Sequence, residues 1–235
     1  MRNTQFPPLA ALLSTMGCFF QTSCREPATD EISNPDTGTE PVPLSDDGGL
    51  RDGGLRCPID AAGFDNANSP YLGGEIAPEV VVDLYSDFQC SHCAAFQKLE
   101  QSLWQRPEYR DRVRLYYHHY IVHPSATEIH AASEAVFRQD PDAFWRLYAE
   151  IFTRLREDGD DMTLEEVLTF AETVLGLDRA RLDADRVSEA VRGRLEQDKA
   201  FGKEAGVMGT PSLFVCGAKI DGVSSLEPTI AALLD

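Results

Sequence analysis

Ser86-Asp87-Phe88-Gln89-Cys90-Ser91-His92-Cys93-Ala94-Ala95-Phe96 is the stretch on which the reading of this chain turns. The preceding run Val80-Val81-Val82-Asp83-Leu84-Tyr85 is β-branched and apolar, which predicts a strand. From Cys93 to Gln105, apolar Phe96, Leu99, Leu103 and Trp104 fall at three- and four-residue spacings, which predicts a helix. The two cysteines of Cys-x-x-Cys therefore lie at a helix N-terminus. The N–H groups of a first turn have no intrahelical partner, and the helix dipole puts partial positive charge there, so a Cys90 thiolate is favoured over the thiol. A protonated His92 would act in the same direction. Cys93, one turn further in, is placed to attack a mixed disulfide formed on Cys90. The pair reads as a redox centre in which Cys90 attacks and Cys93 resolves.

Half of a zinc site is the competing reading, since Cys-x2-Cys is followed by His119-x3-His123. The run Arg112 to Val122 has strand character, however, and four strand residues advance about 13 Å. One zinc holds its ligands at about 2.0–2.3 Å, so a continuous strand keeps both histidines from sharing it. The chain has no second Cys-x-x-Cys. We expect no metal and no other cofactor.

The surrounding chain of 235 residues carries a formal net charge of −18. An acidic surface of that size makes nucleic acid and anionic membranes poor partners, because phosphate contacts require Lys and Arg in excess. Residues 1–24 read as an export signal, with Arg2 ahead of an apolar stretch from Phe6 to Phe20 that is too short and broken to span a membrane comfortably. Gly17-Cys18 resembles the end of a bacterial lipoprotein signal, which would make Cys18 a lipidation site and the lipid a membrane tether. Residues 25–68 are rich in Pro, Gly, Asp, Thr and Ser and include the near-repeat Asp47-Gly48-Gly49-Leu50-Arg51-Asp52-Gly53-Gly54-Leu55-Arg56. That composition cannot bury enough apolar area to offset ordering entropy and reads as a flexible acidic linker.

The folded domain is expected over residues 69–235. After the redox helix comes the Arg112–Val122 strand, which completes a βαβ unit. Helices are predicted over Ser125–Gln139, Asp142–Leu155, Thr163–Leu175 and about Asp178–Ala205, a helical insertion spanning about 125–205. Thr163 with Glu166 forms a capping-box pattern, and Asp140-Pro141 pairs an N-cap with proline at the first helical position. Strand character returns at Ser212–Cys216, with Gly217-Ala218 as the turn, Lys219–Asp221 as hairpin partner and a last helix near Ser225–Leu234. A βαβ half and a ββα half separated by helices predict an α/β thioredoxin fold with an inserted helical subdomain.

Three segments together resemble the DsbA-like thioredoxin family of exported thiol-disulfide oxidoreductases: Ser86 to Cys93, Arg114-Leu115-Tyr116-Tyr117-His118-His119, and Gly206-Val207-Met208-Gly209-Thr210-Pro211-Ser212-Leu213-Phe214-Val215. The resemblance implies a redox-active Cys90–Cys93 disulfide, a cis Pro211 beside it, and a Thr210 backbone that pairs with a bound substrate chain. It also implies cysteine-containing exported proteins as substrates, and a recycling partner that is membrane-bound in some members. The family usually carries an acidic residue six positions before its first cysteine. Here that place is Leu84, and neighbouring Asp83 points to the other face of the strand. Which group replaces the acid is left open.

His118, His119, His123 and His130 read as solvated or capping groups, Trp104 and Trp145 as core, and Cys216 as a buried inert thiol, with Cys57 unassigned. The expected function is disulfide exchange at Cys90-Ser91-His92-Cys93, as a dithiol oxidase. The alternatives are a reductase or isomerase, or a non-catalytic thioredoxin-fold protein of metal delivery or assembly.

Overall fold

Seven consecutive buried residues, Val80 to Ser86, form the central strand of a five-stranded sheet, and full burial on both faces is what a mostly apolar run broken only by Asp83 and Ser86 predicts. In a computed structural model that describes residues 57, 66–74 and 78–235, the strands are β1 (Tyr71–Leu72), β2 (Val80–Ser86), β3 (Val113–His119), β4 (Ser212–Val215) and β5 (Ala218–Lys219), in the spatial order β1-β3-β2-β4-β5. β2 and β3 are parallel, joined by α1 (Ser91–Trp104) and the short α2 (Pro107–Arg110), whereas β4 runs antiparallel to β2 and β5 antiparallel to β4. The expected signal at 1–24, Cys18 and most of the 25–68 linker lie outside the described residues.

Between β3 and β4 stand α3 (Thr127–Gln139), α4 (Pro141–Glu157), α5 (Leu164–Thr173), α6 (Arg179–Asp185) and α7 (Glu189–Glu204), and α8 (Leu226–Leu234) closes the chain. Asp140 caps α4 by accepting from the Asp142 and Ala143 N–H groups, and Thr163 with Glu166 completes a reciprocal capping box on α5. The single helix expected over about 178–205 is two, because Ser188 accepts from Val191 N and starts a new helix after α6 ends. A serine inside a helical pattern was the available signal for that break.

The strand alternation divides the sheet into two faces. Val82, Leu84 and Ser86 share one with Leu115, Tyr117 and His119, their lateral partners on β3. Here α1 and α4 pack, and Phe88, Phe144, Tyr148 and Phe152 fill the core with rings 4.9–6.4 Å apart. Asp83, Tyr85 and His118 face the other way, toward α7, where Gly202 admits the rings of Tyr85 and Tyr120: a Cβ there would come within 2.8–2.9 Å of them.

Two expectations about cysteines are corrected. Cys216 is not a free thiol but is joined to Cys57 across 159 residues, and Cys57 is itself buried, with its N–H donating to Glu79 O. The segment read as linker is thus tied at Cys57 to the sheet. The hairpin turn is Cys216-Gly217, with φ of 52° and 79°, rather than Gly217-Ala218. Glycine at the second of two left-handed positions is what a two-residue hairpin loop favours.

Candidate active site

Cys90 ends the β2–α1 loop as the N-cap of α1, in extended conformation (φ −86°, ψ 113°). Its side chain is turned inward, leaving 6 % of the residue exposed, while Ser91 and His92 are on the surface. Both Cys90 and Cys93 are free thiols in this structure. The Cys90 pKa is brought down to about 5, first by the hydrogen bond from the Cys93 side chain, then by Thr210 and by the backbone N–H groups of Cys93 and His92. The two N–H groups are the unpaired donors that any N-cap acceptor meets. His92 therefore acts on Cys90 through its backbone N–H, whereas the sequence suggested its imidazole. Cys93 moves the opposite way: burial, then the neighbouring Cys90, push its thiol far up, against smaller pulls from Ser86 and the Asp87 backbone.

The Thr210–Pro211 peptide bond is cis, and Cys90 Sγ donates to Thr210 O at 3.2 Å. Thr210 and Pro211, from the loop entering β4, thus join Cys90 and Cys93 in one place. Met208, two residues earlier, is 91 % exposed and presents an apolar surface on the same loop.

Asp87 lies in the decisive stretch, and its role emerges only from the tertiary structure. Its buried carboxylate accepts from Gln89 N (2.8 Å), Val122 N (2.6 Å) and His123 N (2.8 Å). Burial raises its pKa, but the His130 ring beside it and hydrogen bonds from the His123 and Gln89 backbone outweigh that and hold it well below the usual carboxylate range. The residue clamps the redox loop to the segment after β3. The legible signal was an Asp two residues before a turn N–H, an Asx-turn pattern.

The reading of the histidines as solvated or capping is corrected for three of them. His118, His119 and His130 are buried, and only His123 is substantially exposed, with its ring 3.2 Å from Asp87. His130 Nε2 accepts from Phe88 N at 3.3 Å, so its proton sits on Nδ1 and is donated to His119 Nδ1 at 2.9 Å. His119 Nε2–H then faces Glu134 at 3.5 Å. Burial lowers the pKa of both rings, consistent with this neutral chain of donors. His118 lies on the other face between Asp83 (3.0 Å) and Asp198 (3.4 Å), with Arg194 2.7 Å from Asp198. Burial lowers the His118 pKa, but the two carboxylates raise it by more.

On the face of Leu84, Glu100 of α1 is buried and receives the Tyr148 hydroxyl at 2.5 Å. Desolvation lifts its carboxyl to about 8, only partly opposed by Tyr148. Trp104 is core as expected; Trp145 is partly buried, its indole N–H donating to Tyr71 O at 2.7 Å. Among the described residues no cluster of three or more His, Cys, Asp or Glu side chains could hold a metal ion.

A low-pKa cysteine at a helix N-terminus, a protonated partner one turn inside and a cis-proline loop against the sulfur, on a thioredoxin sheet with inserted helices, define a DsbA-like thiol-disulfide oxidoreductase. The chain belongs to the thioredoxin family, whose model, described as Thioredoxin, matches residues 65–235. It is 28 % identical over 151 residues to the probable disulfide bond formation protein D of Bacillus anthracis, covering 62 % of this chain and 69 % of that one. It is 32 % identical over 163 residues to the Na(+)/H(+) antiporter NhaA of Herminiimonas arsenicoxydans, covering 69 % of this chain but 24 % of that longer protein. In fold it is similar to oxidised BdbD from Bacillus subtilis, with a TM-score of 0.63 at 20 % identity, over 72 % of this chain and 94 % of that one.

Proposed function

We propose that the protein is an exported dithiol oxidase that passes the Cys90–Cys93 disulfide to cysteine-containing exported protein substrates and is reoxidised by a separate redox partner. The observation that carries this reading is the seat of Cys90 at the N-terminus of α1, where the Cys93 side chain and the Cys93 and His92 N–H groups bring its pKa down to about 5 beside a Cys93 that stays protonated. Stabilising the thiolate stabilises the reduced form, and a protein whose reduced form is favoured gives its disulfide away. In that exchange a substrate thiolate attacks Cys90, Cys93 leaves, and a second substrate thiol displaces Cys90 as thiolate. Thr210 and Pro211 would hold the substrate backbone in extended form against the disulfide, with Met208 as an apolar contact.

Equilibration against glutathione tests the direction: we expect a potential well above that of thioredoxin, and a value near about −270 mV would overturn the oxidase in favour of a reductase. In the same reduced protein, iodoacetamide should label Cys90 with a midpoint near pH 5 and spare Cys93. Equal labelling would remove the basis of the proposal.

Among the described residues no helix is long and apolar enough to cross a membrane. We propose lipidation of Cys18 as the anchor, with the acidic segment up to Cys57 linking it to the domain. Full-length protein should partition with membranes and Cys18→Ala should not. Equal partitioning would exclude this anchor.

A further inference from the structure

The thioredoxin sheet has an apolar residue, Leu84, on the face under the redox helix, and Asp83 is engaged on the opposite face with His118. Cys93 nevertheless changes charge during exchange in an environment that is 1 % exposed. A buried thiolate formed there without a proton donor is costly. The face carrying Cys93 on α1 continues through Gln97 and Glu100, at four and seven residues further on, the spacings that align side chains on one side of a helix. All three are buried. Glu100 has no cationic partner among the described residues and receives only the Tyr148 hydroxyl. Gln97 uses its oxygen to accept from Arg156 Nη1 at 2.9 Å, while its amide nitrogen is buried with no hydrogen-bond partner in the structure.

We propose that Glu100, acting through Tyr148, is the proton reservoir of Cys93. When a substrate thiolate attacks Cys90, the Cys90–Cys93 bond breaks and its electron pair goes to Cys93 sulfur. The proton that neutralises it leaves the Glu100 carboxyl, which becomes a carboxylate and later recovers a proton from solvent. In the reverse step the Glu100 carboxylate takes the Cys93 proton, the Cys93 thiolate attacks Cys90 sulfur, and the bound partner departs as a thiolate. The substrate dithiol is oxidised and the protein disulfide reduced by two electrons, with no further reactant.

Three observations support this assignment. Glu100 is neutral near neutral pH, as a donor to a leaving thiolate must be, because desolvation lifts it to about 8. Tyr148 donates to Glu100 at 2.5 Å, and its ring packs 5.6 Å from that of Tyr117, whose hydroxyl reaches the backbone of Ser86, a neighbour of Cys93. The remaining titratable groups around this line are Tyr117 of β3, which also senses Cys93, and Arg156 of α4, held at Gln97 and Ala94 O. Both tyrosines are pushed far up by burial and stay neutral.

The inference rests on exchange chemistry at Cys90 and Cys93 and holds for either direction of electron flow. Its test mixes the reduced protein with oxidised glutathione and follows, by acid quenching and mass, formation of the Cys90 mixed disulfide and its resolution by Cys93. In wild type the resolution rate should rise with pH to an inflection near 8. Glu100→Gln should slow resolution on the order of 100-fold at pH 7 and abolish the inflection, leaving the first step and its dependence on Cys90 ionisation unchanged. Tyr148→Phe, which keeps the ring packing, should slow the same step alone. Resolution by Glu100→Gln and Tyr148→Phe at the wild-type rate and pH profile would overturn the reservoir. A wild-type chain that forms no mixed disulfide would overturn the exchange chemistry itself, and the reservoir with it.

Discussion

The two faces of the sheet bury carboxylates in opposite ways. Toward α7, Asp198 is held by His118 and Arg194 and also accepts from the His119 N–H at 2.8 Å. Burial raises its pKa, but His118 and then Arg194 bring it below the usual range. Toward α1, Glu100 has only the Tyr148 hydroxyl, and burial leaves it a neutral acid at neutral pH. The first arrangement supplies each buried charge with opposite charge and hydrogen bonds, and so fixes α7 to β2 and β3. The second leaves a proton with little to hold it, which suits a group that must give the proton up. One fold thus holds the Asp198 carboxylate charged on one face of the sheet and the Glu100 carboxyl neutral on the face that carries the redox helix.

The largest effect that could break this contrast is at Asp198. Asp198→Ala leaves Arg194 and His118 facing each other without their shared carboxylate in a site 1–5 % exposed, and it should cost about 3–5 kcal/mol in denaturant unfolding. A loss of less than about 1 kcal/mol would mean that the α7 network is not the structural one.

Glu100→Gln should have a smaller effect of opposite sign. A carboxyl at about 8 in the folded chain and about 4.3 unfolded binds more protons when folded, so its contribution falls as pH rises from about 4 to 8. The glutamine variant, which can still accept from Tyr148, should match wild type near pH 4. It should gain on it progressively above that pH, by up to a few kcal/mol at pH 9. Chemical denaturation at both pH values reads the difference, and a variant that loses stability at pH 9 would place Glu100 among the structural carboxylates. For Asp198 the sign is reversed: its lowered pKa gives stability that is present above about pH 4 and lost on acidification through its folded value.

The decisive stretch was legible because its information is local. A β-branched run, a Cys-x-x-Cys and a helical period specify strand, turn and helix within 25 residues, and the unpaired N–H groups of a helix start act on Cys90 wherever the helix lies. Capping residues located α4 and α5 for the same reason. The histidines were misjudged because alternation on a strand with both faces buried does not distinguish a solvent side. His118 and His119 are buried by α7 and α3, partners contributed from residues 198 and 130–134.

Sequence alone therefore determined the fold class and the order of its main strands and helices, which follow from backbone propensity and period. Tertiary structure decided what depends on distance between remote residues: the Cys57–Cys216 bond, the Asp87 clamp, and which buried acid is paired. A carboxyl's charge state is set by the dielectric and the partners around it, and the partner of Glu100 comes from another helix 48 residues away.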